Sequence, residues 1–183
     1  VAPAQMPKFA RDSAFARARL SRNAARSVVG GRVFGISQTV VTKSGAKKMS
    51  IIGLKHGVFT RGILLDIPAM KGVDWLEPGY AVTVKDLEAF EKWAKLKIGK
   101  GDVVFLRTGR WAREQAKGPW NIGANSAGFH FSCMEWLAKR DISCIGSDAA
   151  SEVAPSGIEG YSHPVHILAL HALGMNIFDC CDF

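Results

Sequence analysis

Short apolar runs, separated by stretches with helical spacing, are the feature that most constrains this sequence. The runs GILLDI (62–67) and DVVFL (102–106), with Ile142, Cys144 and Ile145, predict strands buried inside a sheet. Apolar residues three or four positions apart lie between these runs and predict helices. Alternation of buried strands with helices indicates an α/β domain, and 183 residues suffice for one domain with a sizeable core.

Capping and turn residues give the expected element order. Toward the N-terminus we expect a helix from Asp12 or Ser13 to Val29 and a strand over 33–41. GILLDI should be buried on both faces and end at Pro68. The later elements expected are a helix capped by Asp86, the strand 102–106, a loop from Arg107 through Gly128, a helix over 131–139, a strand over 142–145, a helix over 164–173 and a strand over 176–178.

Charge is distributed unevenly along the chain, whose net charge is +8. Residues 1–61 hold 12 Lys and Arg against a single acid, Asp12. Such a basic arm could dock on nucleic acid, but it lacks the signatures of known nucleic-acid-binding modules. We therefore interpret it as a solvated or partner-facing segment and do not expect a nucleic-acid partner.

Cysteine use and hydropathy indicate the compartment. The four cysteines have neither CxxC spacing nor a disulfide framework, so free thiols in a reducing compartment are expected. No apolar run approaches the roughly 18 residues that a membrane span needs, and the N-terminus lacks the apolar core of a signal peptide. A cytoplasmic location without a membrane partner is the resulting expectation.

Polar side chains concentrate on the loop between the strand 142–145 and the following helix. Loops held between buried elements are where a scaffold usually places chemistry. His163 and His166 are three residues apart at the start of that helix, so they lie on one side of it. With nearby carboxylates (Asp148, Glu152, Glu159 or Asp179) they could form part of a metal site. The simpler alternative is one helix-capping histidine and one core histidine.

Other charged residues follow the predicted strands. Asp148 comes directly after a buried strand, where a carboxylate either binds a ligand or caps a turn. Arg107 and Arg110 follow another strand and could clamp an anion or pair with an acid inside the fold. Walker, GxGxxG and GxSxG motifs are absent, so the sequence supports neither nucleotide binding nor a serine nucleophile.

Four long strings resemble one family. They are HGVFTRGILLDIP (56–68), KGVDWLEPG (71–79), GDVVFLRTGRWA (101–112) and GSDAASEVAPSGIEG with HPVHILALHALGMNIFDCCD (146–182). In this order they are similar to the cyclase family, metal-dependent hydrolases that include bacterial kynurenine formamidase (arylformamidase). The resemblance implies a swivelling β/β/α fold, a homo-oligomer (dimer or larger), and zinc or manganese that activates a water to attack an amide, lactone or ester carbonyl.

The same resemblance implies the site residues and the reaction. His166 matches the late histidine of the family's metal site, and Asp179 stands where relatives often have an acidic ligand, commonly Glu. The catalytic residues stay unassigned. The implied activity is that of a metal-dependent hydrolase acting on N-formylkynurenine or a related carbonyl substrate, as in tryptophan catabolism by the kynurenine pathway.

One departure from the family qualifies this expectation. The main metal motif of relatives is a histidine, a second histidine four residues on, then an aspartate and another histidine. Upstream of Gly62 this chain has one histidine, His56, and one acid, Asp12. We therefore expect a basic segment over 1–50, a cyclase-family domain over 51–183 whose fold is incomplete in its N-terminal half, and impaired hydrolysis. The alternative is a non-catalytic structural or interaction relative.

Overall fold

The computed structural model describes residues 50–183 and four short strands before them. These strands are β1 (Arg32–Val33), β2 (Ile36–Ser37), β3 (Val41–Thr42) and β4 (Gly45–Ala46), and a 3-10 helix follows at Ile51–Leu54. The chain divides into two compact units, one comprising Val1–Phe59 with Leu170–Gly174 and the other comprising Thr60–Ala169 with Met175–Phe183. The predicted domain boundary at residue 50 stays a prediction.

The first unit contains two short antiparallel pairs, β1 with β2 and β3 with β4. The single strand predicted over 33–41 is wrong, because Val33 pairs with Ile36 and the chain therefore reverses direction within that range. The helix predicted from Asp12 or Ser13 to Val29 lies outside the described residues.

A four-stranded parallel sheet forms the centre of the second unit. Its strands are β5 (Gly62–Asp66), β7 (Val103–Arg107), β9 (Cys144–Ser147) and β10 (Asn176–Phe178), in the spatial order β10-β9-β7-β5. A second parallel pair joins β6 (Ala81–Val82) to β8 (Gly128–Phe129). The predicted α/β class with buried strands is therefore confirmed.

Five helices alternate with these strands along the chain. They are α1 (Ile67–Lys71), α2 (Val84–Trp93), α3 (Arg110–Lys117), α4 (Cys133–Lys139) and α5 (Pro164–His166), the last continuing as a π-helix at Ile167–Leu173. No helix among the residues described is long and apolar enough to cross a membrane.

The capping of α2 differs from the prediction in one position. Thr83 is the N-cap, and Asp86 is the third helical residue. The Asp86 carboxylate accepts from the Thr83 backbone N–H at 2.9 Å, which completes a capping box.

Two helices fall where we predicted a strand end and a loop. Pro68 does not simply end the strand, because it lies in the first turn of α1, which Asp66 caps by accepting from Ala69 N. Helix α3 occupies part of the predicted loop between Arg107 and Gly128. None of its residues is buried, so it lacks the apolar stripe by which a helix is recognised in a sequence.

Strand β5 is not buried on both faces as predicted. Leu65 is fully buried, whereas Leu64, which points to the opposite face, is 44% exposed. The physical reason is that the face carrying Leu64 is only partly covered by the described residues, since Phe105 of β7 and Phe178 of β10 on that face are also partly exposed. On the same face Gly146 lies beside Phe105, whose ring would be 2.7 Å from a Cβ at that position, so only glycine fits.

Asp148 joins the ends of two strands and the start of α3. Its side chain is buried and accepts hydrogen bonds from Thr108 N (2.8 Å), Thr108 Oγ1 (2.8 Å), Gly109 N (2.8 Å) and Arg110 N (3.1 Å). These donors satisfy both carboxylate oxygens and supply the cap that Gly109 cannot provide. Of the two alternatives for Asp148, the structure therefore supports the capping role.

A second buried carboxylate, Asp102, accepts hydrogen bonds at the opposite end of the sheet. Arg61 contacts both oxygens of the buried Asp102 at 2.8 and 2.7 Å, and Gly99 N donates to the same carboxylate at 2.7 Å. The Arg61 guanidinium, with the Gly99 amide, holds the pKa of Asp102 below its usual value despite burial, which opposes ionisation.

Removing the charge of Asp102 should make the free energy of unfolding decrease less as the pH is lowered. The lowered folded-state pKa means that ionised Asp102 stabilises the fold above its unfolded pKa of about 3.9, and this contribution is lost as pH falls through the folded pKa. We expect Asp102→Asn to cost roughly 1–2 kcal/mol at pH 7 and to lose less stability than the wild type on acidification. Urea unfolding from pH 7 to pH 2.5 measures both effects. If the wild type and Asp102→Asn lost equal stability on acidification, the stabilising role of ionised Asp102 would be contradicted.

Replacing Asp148 by asparagine should destabilise the fold strongly. An amide has one acceptor oxygen and would point an NH₂ at backbone N–H donors, so buried groups would be left unpaired. We expect Asp148→Asn to lower the free energy of unfolding by roughly 2–4 kcal/mol in urea unfolding. The exposed Asp74→Asn is the matched control. Equal stability of the two variants would show that Asp148 is not a structural cap.

Candidate functional site

The carboxyl ends of the four parallel strands meet at one edge of the sheet, where open α/β sheets bind ligands. Most charged groups at this edge pair within the fold. Arg107 forms an ion pair with Asp66 at 3.0 Å. Arg110 stacks on the Trp111 ring at 4.1 Å and contacts the Asp148 carbonyl oxygen at 3.4 Å. Both arginines are thus engaged inside the protein.

His166 is the centre of the remaining polar cluster. Its Nδ1 lies 2.7 Å from Oε1 of Glu152, and its Nε2 lies 2.9 Å from Oδ2 of Asp179. The imidazole therefore bridges a carboxylate of the 148–163 loop and a carboxylate that follows β10. The sequence placed both acids among four candidates, and the structure brings these two to the histidine.

Glu152 is almost fully buried, with 2% of its surface exposed. Its other oxygen, Oε2, accepts from the backbone N–H groups of Val165 (2.9 Å) and His166 (3.2 Å). The carboxylate therefore caps the first turn of α5 while it holds the ring of His166. This position explains how a loop glutamate fixes a helical histidine fourteen residues later.

Asp179 is partly exposed, and its oxygens have different partners. Oδ1 accepts from the Ser151 hydroxyl, and Oδ2 faces His166. Partial burial opposes ionisation, but the contacts with His166 and Ser151 outweigh it and lower the pKa of Asp179. Ser151 and Cys180, each adjacent to a carboxylate of the cluster, both have left-handed backbone conformations (φ of 49° and 56°).

The two carboxylates determine the protonation of His166. Hydrogen bonding to Asp179 first, and then to Glu152, raises the pKa of His166 to about 10. At neutral pH the ring is therefore an imidazolium that donates to both acids. A metal ligand must be unprotonated, so a cation bound at Nε2 would displace the proton now shared with Asp179.

The donor atoms at this cluster suit a divalent cation in kind. Imidazole nitrogen and carboxylate oxygen are zinc and manganese ligands, and a carboxylate behind the far nitrogen is the usual support of a ligating histidine. They are fewer than the three protein ligands usual for catalytic zinc. Within residues 50–183, no group of three or more His, Cys, Asp or Glu side chains could hold an ion. The metal-ligand assignment of His166 and Asp179 stays a prediction.

The other candidates lie apart from this pair or beside it. Glu159 and His56 are exposed. His163 is the N-cap residue of α5, but its ring makes no capping bond; Nδ1 instead lies 2.8 Å from the Ser162 hydroxyl. The rings of His163 and His166 meet edge to face with centroids 6.0 Å apart, so His163 flanks the cluster.

A cavity of about 610 Å³ opens next to these histidines in the chain. Its lining contains no charged side chain and comprises Gly123, Ala124, Ala154, Pro155, Ser156, Gly157, Ile158, Gly160, Tyr161 and Ser162. Ser162 connects the cavity to the cluster through its contact with His163. A volume of this size suits a small uncharged organic group.

Sequence reasoning left Ser151 without a role. It stands directly before Glu152, on a loop already rich in serine, and nothing in its spacing distinguishes it from Ser147 or Ser156. Only the folded chain shows its hydroxyl on Asp179, twenty-eight residues away.

Comparison with solved structures agrees with this architecture. The structure described as a novel cyclase superposes with a TM-score of 0.67 at 26% sequence identity, covering 81% of this chain and 49% of that one. Isatin hydrolase A from Ralstonia solanacearum gives a TM-score of 0.52 at 19% identity, covering 66% of this chain and 46% of its own. This chain thus spans about half the length of the structures it matches. At 19% identity, the likeness to isatin hydrolase A concerns the fold alone.

Sequence comparison gives the family. No curated protein sequence matches the chain significantly. The family model described as "Putative cyclase" matches residues 37–152, which is more than half of the chain. The match includes Glu152 and stops before His166, and it agrees with the cyclase structure that covers 81% of this chain. The chain is a member of the cyclase family, with the α/β fold of its structurally characterised relatives.

Proposed function

We propose that this chain is a metal-dependent hydrolase that cleaves an amide or a related carbonyl substrate. The observation that carries the proposal is the pair of donor atoms, Nε2 of His166 and Oδ2 of Asp179, which lie 2.9 Å apart at the ligand-binding edge of the sheet. The pair stands in a cyclase-family chain, where the resemblance of its strings implies zinc or manganese.

Each group of the cluster has a defined part in this proposal. His166 and Asp179 would hold the cation, which when bound lowers the pKa of water and polarises a carbonyl. Glu152 holds the far nitrogen of His166 and keeps the ring in place. The uncharged cavity beside Ser162 would accept the non-reacting part of the substrate. The arylformamidase resemblance suggests N-formylkynurenine as the substrate type.

The small number of donors predicts weak metal binding and slow turnover. A cation held by two side chains and otherwise by water exchanges more readily than one held by three or four. We therefore propose that hydrolysis by this chain alone is impaired relative to family members with the full histidine motif.

The second candidate function is a non-catalytic interaction subunit of the same family. It is favoured by one observation, that the described part of the chain has no cluster of three metal-ligating side chains. In this case the chain would assemble as a homo-oligomer, as the family resemblance implies, and would fold without stoichiometric metal.

Metal loading and hydrolysis should depend on His166. We expect the purified chain to hold about one ion after equilibrium dialysis against Zn²⁺ or Mn²⁺ and to hydrolyse N-formylkynurenine slowly, with EDTA abolishing turnover. Since His166→Ala removes one of two donors, it should lower metal affinity and turnover at least about tenfold. Elemental mass spectrometry and an absorbance assay measure these quantities.

The exposed His56→Ala is the matched control, because it removes a histidine without touching the cluster. Equal losses in both variants would contradict the assigned site. A folded, metal-free oligomer without turnover would favour the non-catalytic subunit.

A further inference from the structure

Strand β5 lies at the edge of the four-stranded sheet, and among the described residues no strand pairs with its outer edge. Its inner edge pairs with β7 in parallel, in an unbroken register over Gly62–Asp66. Val103 N donates to Arg61 O at 3.0 Å, and backbone groups alternate in direction along a strand. The N–H and C=O groups that point to the outer edge are therefore those of every second residue, namely Gly62, Leu64 and Asp66.

The outer edge of β5 lacks the features by which proteins prevent edge strands from pairing with other chains. These features are short length, Lys or Pro in the strand, and bulges. Strand β5 has five residues, contains neither Lys nor Pro, and pairs with β7 without a bulge. The strand at the opposite edge of the sheet, β10, has only three residues. Of the two edges, that of β5 is the better suited to adding a strand.

The sequence of β5 is complementary to itself when two copies run antiparallel. With Leu64 of one copy opposite Leu64 of the other, Ile63 lies opposite Leu65. Gly62 then lies opposite Asp66. Each Leu64 N–H can donate to the Leu64 C=O of the other copy, and each Asp66 N–H to the Gly62 C=O, because all these groups point to the outer edge. This register uses every outward-pointing residue of β5.

Charge is compatible with this register. Asp66 is the only charged residue of β5, and it would lie opposite Gly62, so like charges do not meet. The small glycine leaves room for the ion pair that Asp66 makes with Arg107 at 3.0 Å. Pairing of the two strands therefore breaks no interaction of the carboxylate.

The exposed side chain of Leu64 also favours this contact. Leu64 is 44% exposed and would meet its counterpart at the two-fold axis. It stands in line with Phe105 and Phe178 across one face of the sheet, and both aromatic side chains are partly exposed. Pairing would join the rows of the two copies into one apolar row and remove Leu64 from water, which favours association.

We propose that the outer edge of β5 is an interface between two copies of this chain. The two β5 strands pair antiparallel about a two-fold axis at Leu64, and the two four-stranded sheets become one continuous sheet. A second copy is the occupant that the self-complementary register favours, because a two-fold axis repeats each contact and closes the assembly at a dimer. The interface goes beyond the proposed hydrolysis and requires neither a metal nor turnover.

The first experiment is analytical ultracentrifugation of the wild type, Leu64→Lys and Leu170→Lys. Leu64→Lys places two like charges opposite each other at the axis, on a side chain exposed enough for the fold to tolerate it. Leu170, in the π-helix before β10, is 46% exposed and is the matched control. We expect a wild-type dimer whose dissociation constant rises at least about tenfold in Leu64→Lys and stays unchanged in Leu170→Lys.

The second experiment tests the register by disulfide cross-linking with oxidised glutathione as the oxidant. Opposed residues of a hydrogen-bonded antiparallel pair have Cα atoms about 5.5 Å apart, a separation that a disulfide spans. We therefore expect Leu64→Cys to form a covalent dimer on a non-reducing gel. Leu170→Cys is the matched control, and the wild type, whose Cys180 is exposed, gives the background.

The results that would overturn the interface are equally defined. They are a wild type that stays monomeric at its highest soluble concentration, equal effects of the two lysine variants on dimerisation, or no cross-linking of Leu64→Cys above the background. If circular dichroism shows that Leu64→Lys does not fold, the cross-linking of Leu64→Cys decides alone.

Discussion

The contact between the buried carboxylate of Glu152 and the ring of His166 connects three parts of the second unit. Oε2 of Glu152 accepts a hydrogen bond from the first turn of α5, and Oε1 holds the imidazole of His166. The far nitrogen of that imidazole contacts Asp179, which follows β10. A buried charge is tolerated only when its hydrogen bonds are satisfied, and Glu152 has a donor for each oxygen. The position of the candidate site therefore follows from the same bonds that satisfy a buried acid.

The sheet edge separates groups that serve the fold from groups free for chemistry. Asp148 accepts four hydrogen bonds at the start of α3, and Asp66 pairs with Arg107. Asp148 follows a strand and Asp66 is the last residue of one, as a ligand-binding carboxylate would be, but their oxygens are used within the protein. Nε2 of His166 and Oδ2 of Asp179 are bound to each other, and in the proposed metal site a cation would replace the proton between them.

Much of this architecture was predictable from the sequence. The strand at Val103–Arg107 and the α/β alternation follow from apolar runs, since strands inside a parallel sheet are continuously apolar. Helix α3 was not predictable, because it buries no residue and its start is set by Asp148, thirty-eight residues away from Arg110. Tertiary bonds of this kind leave no periodic signal.

The candidate site, too, was predictable from the sequence only in part. Histidines three residues apart showed that His163 and His166 share a side of a helix, but spacing could not choose between them or among four acids. Family resemblance pointed to His166 and Asp179. The roles of Ser151 and Glu152 emerged only from folding, because a left-handed residue brings consecutive side chains to partners fourteen and twenty-eight positions away.

The most direct test of a metal site at His166 and Asp179 is anomalous diffraction from crystals of this chain soaked in Mn²⁺ or Zn²⁺. The account predicts a single strong peak about 2.0–2.2 Å from both Nε2 of His166 and Oδ2 of Asp179, with Glu152 still bound to Nδ1. A peak at another group of side chains, or an intact contact between His166 and Asp179 with no ion at saturating metal, would contradict it.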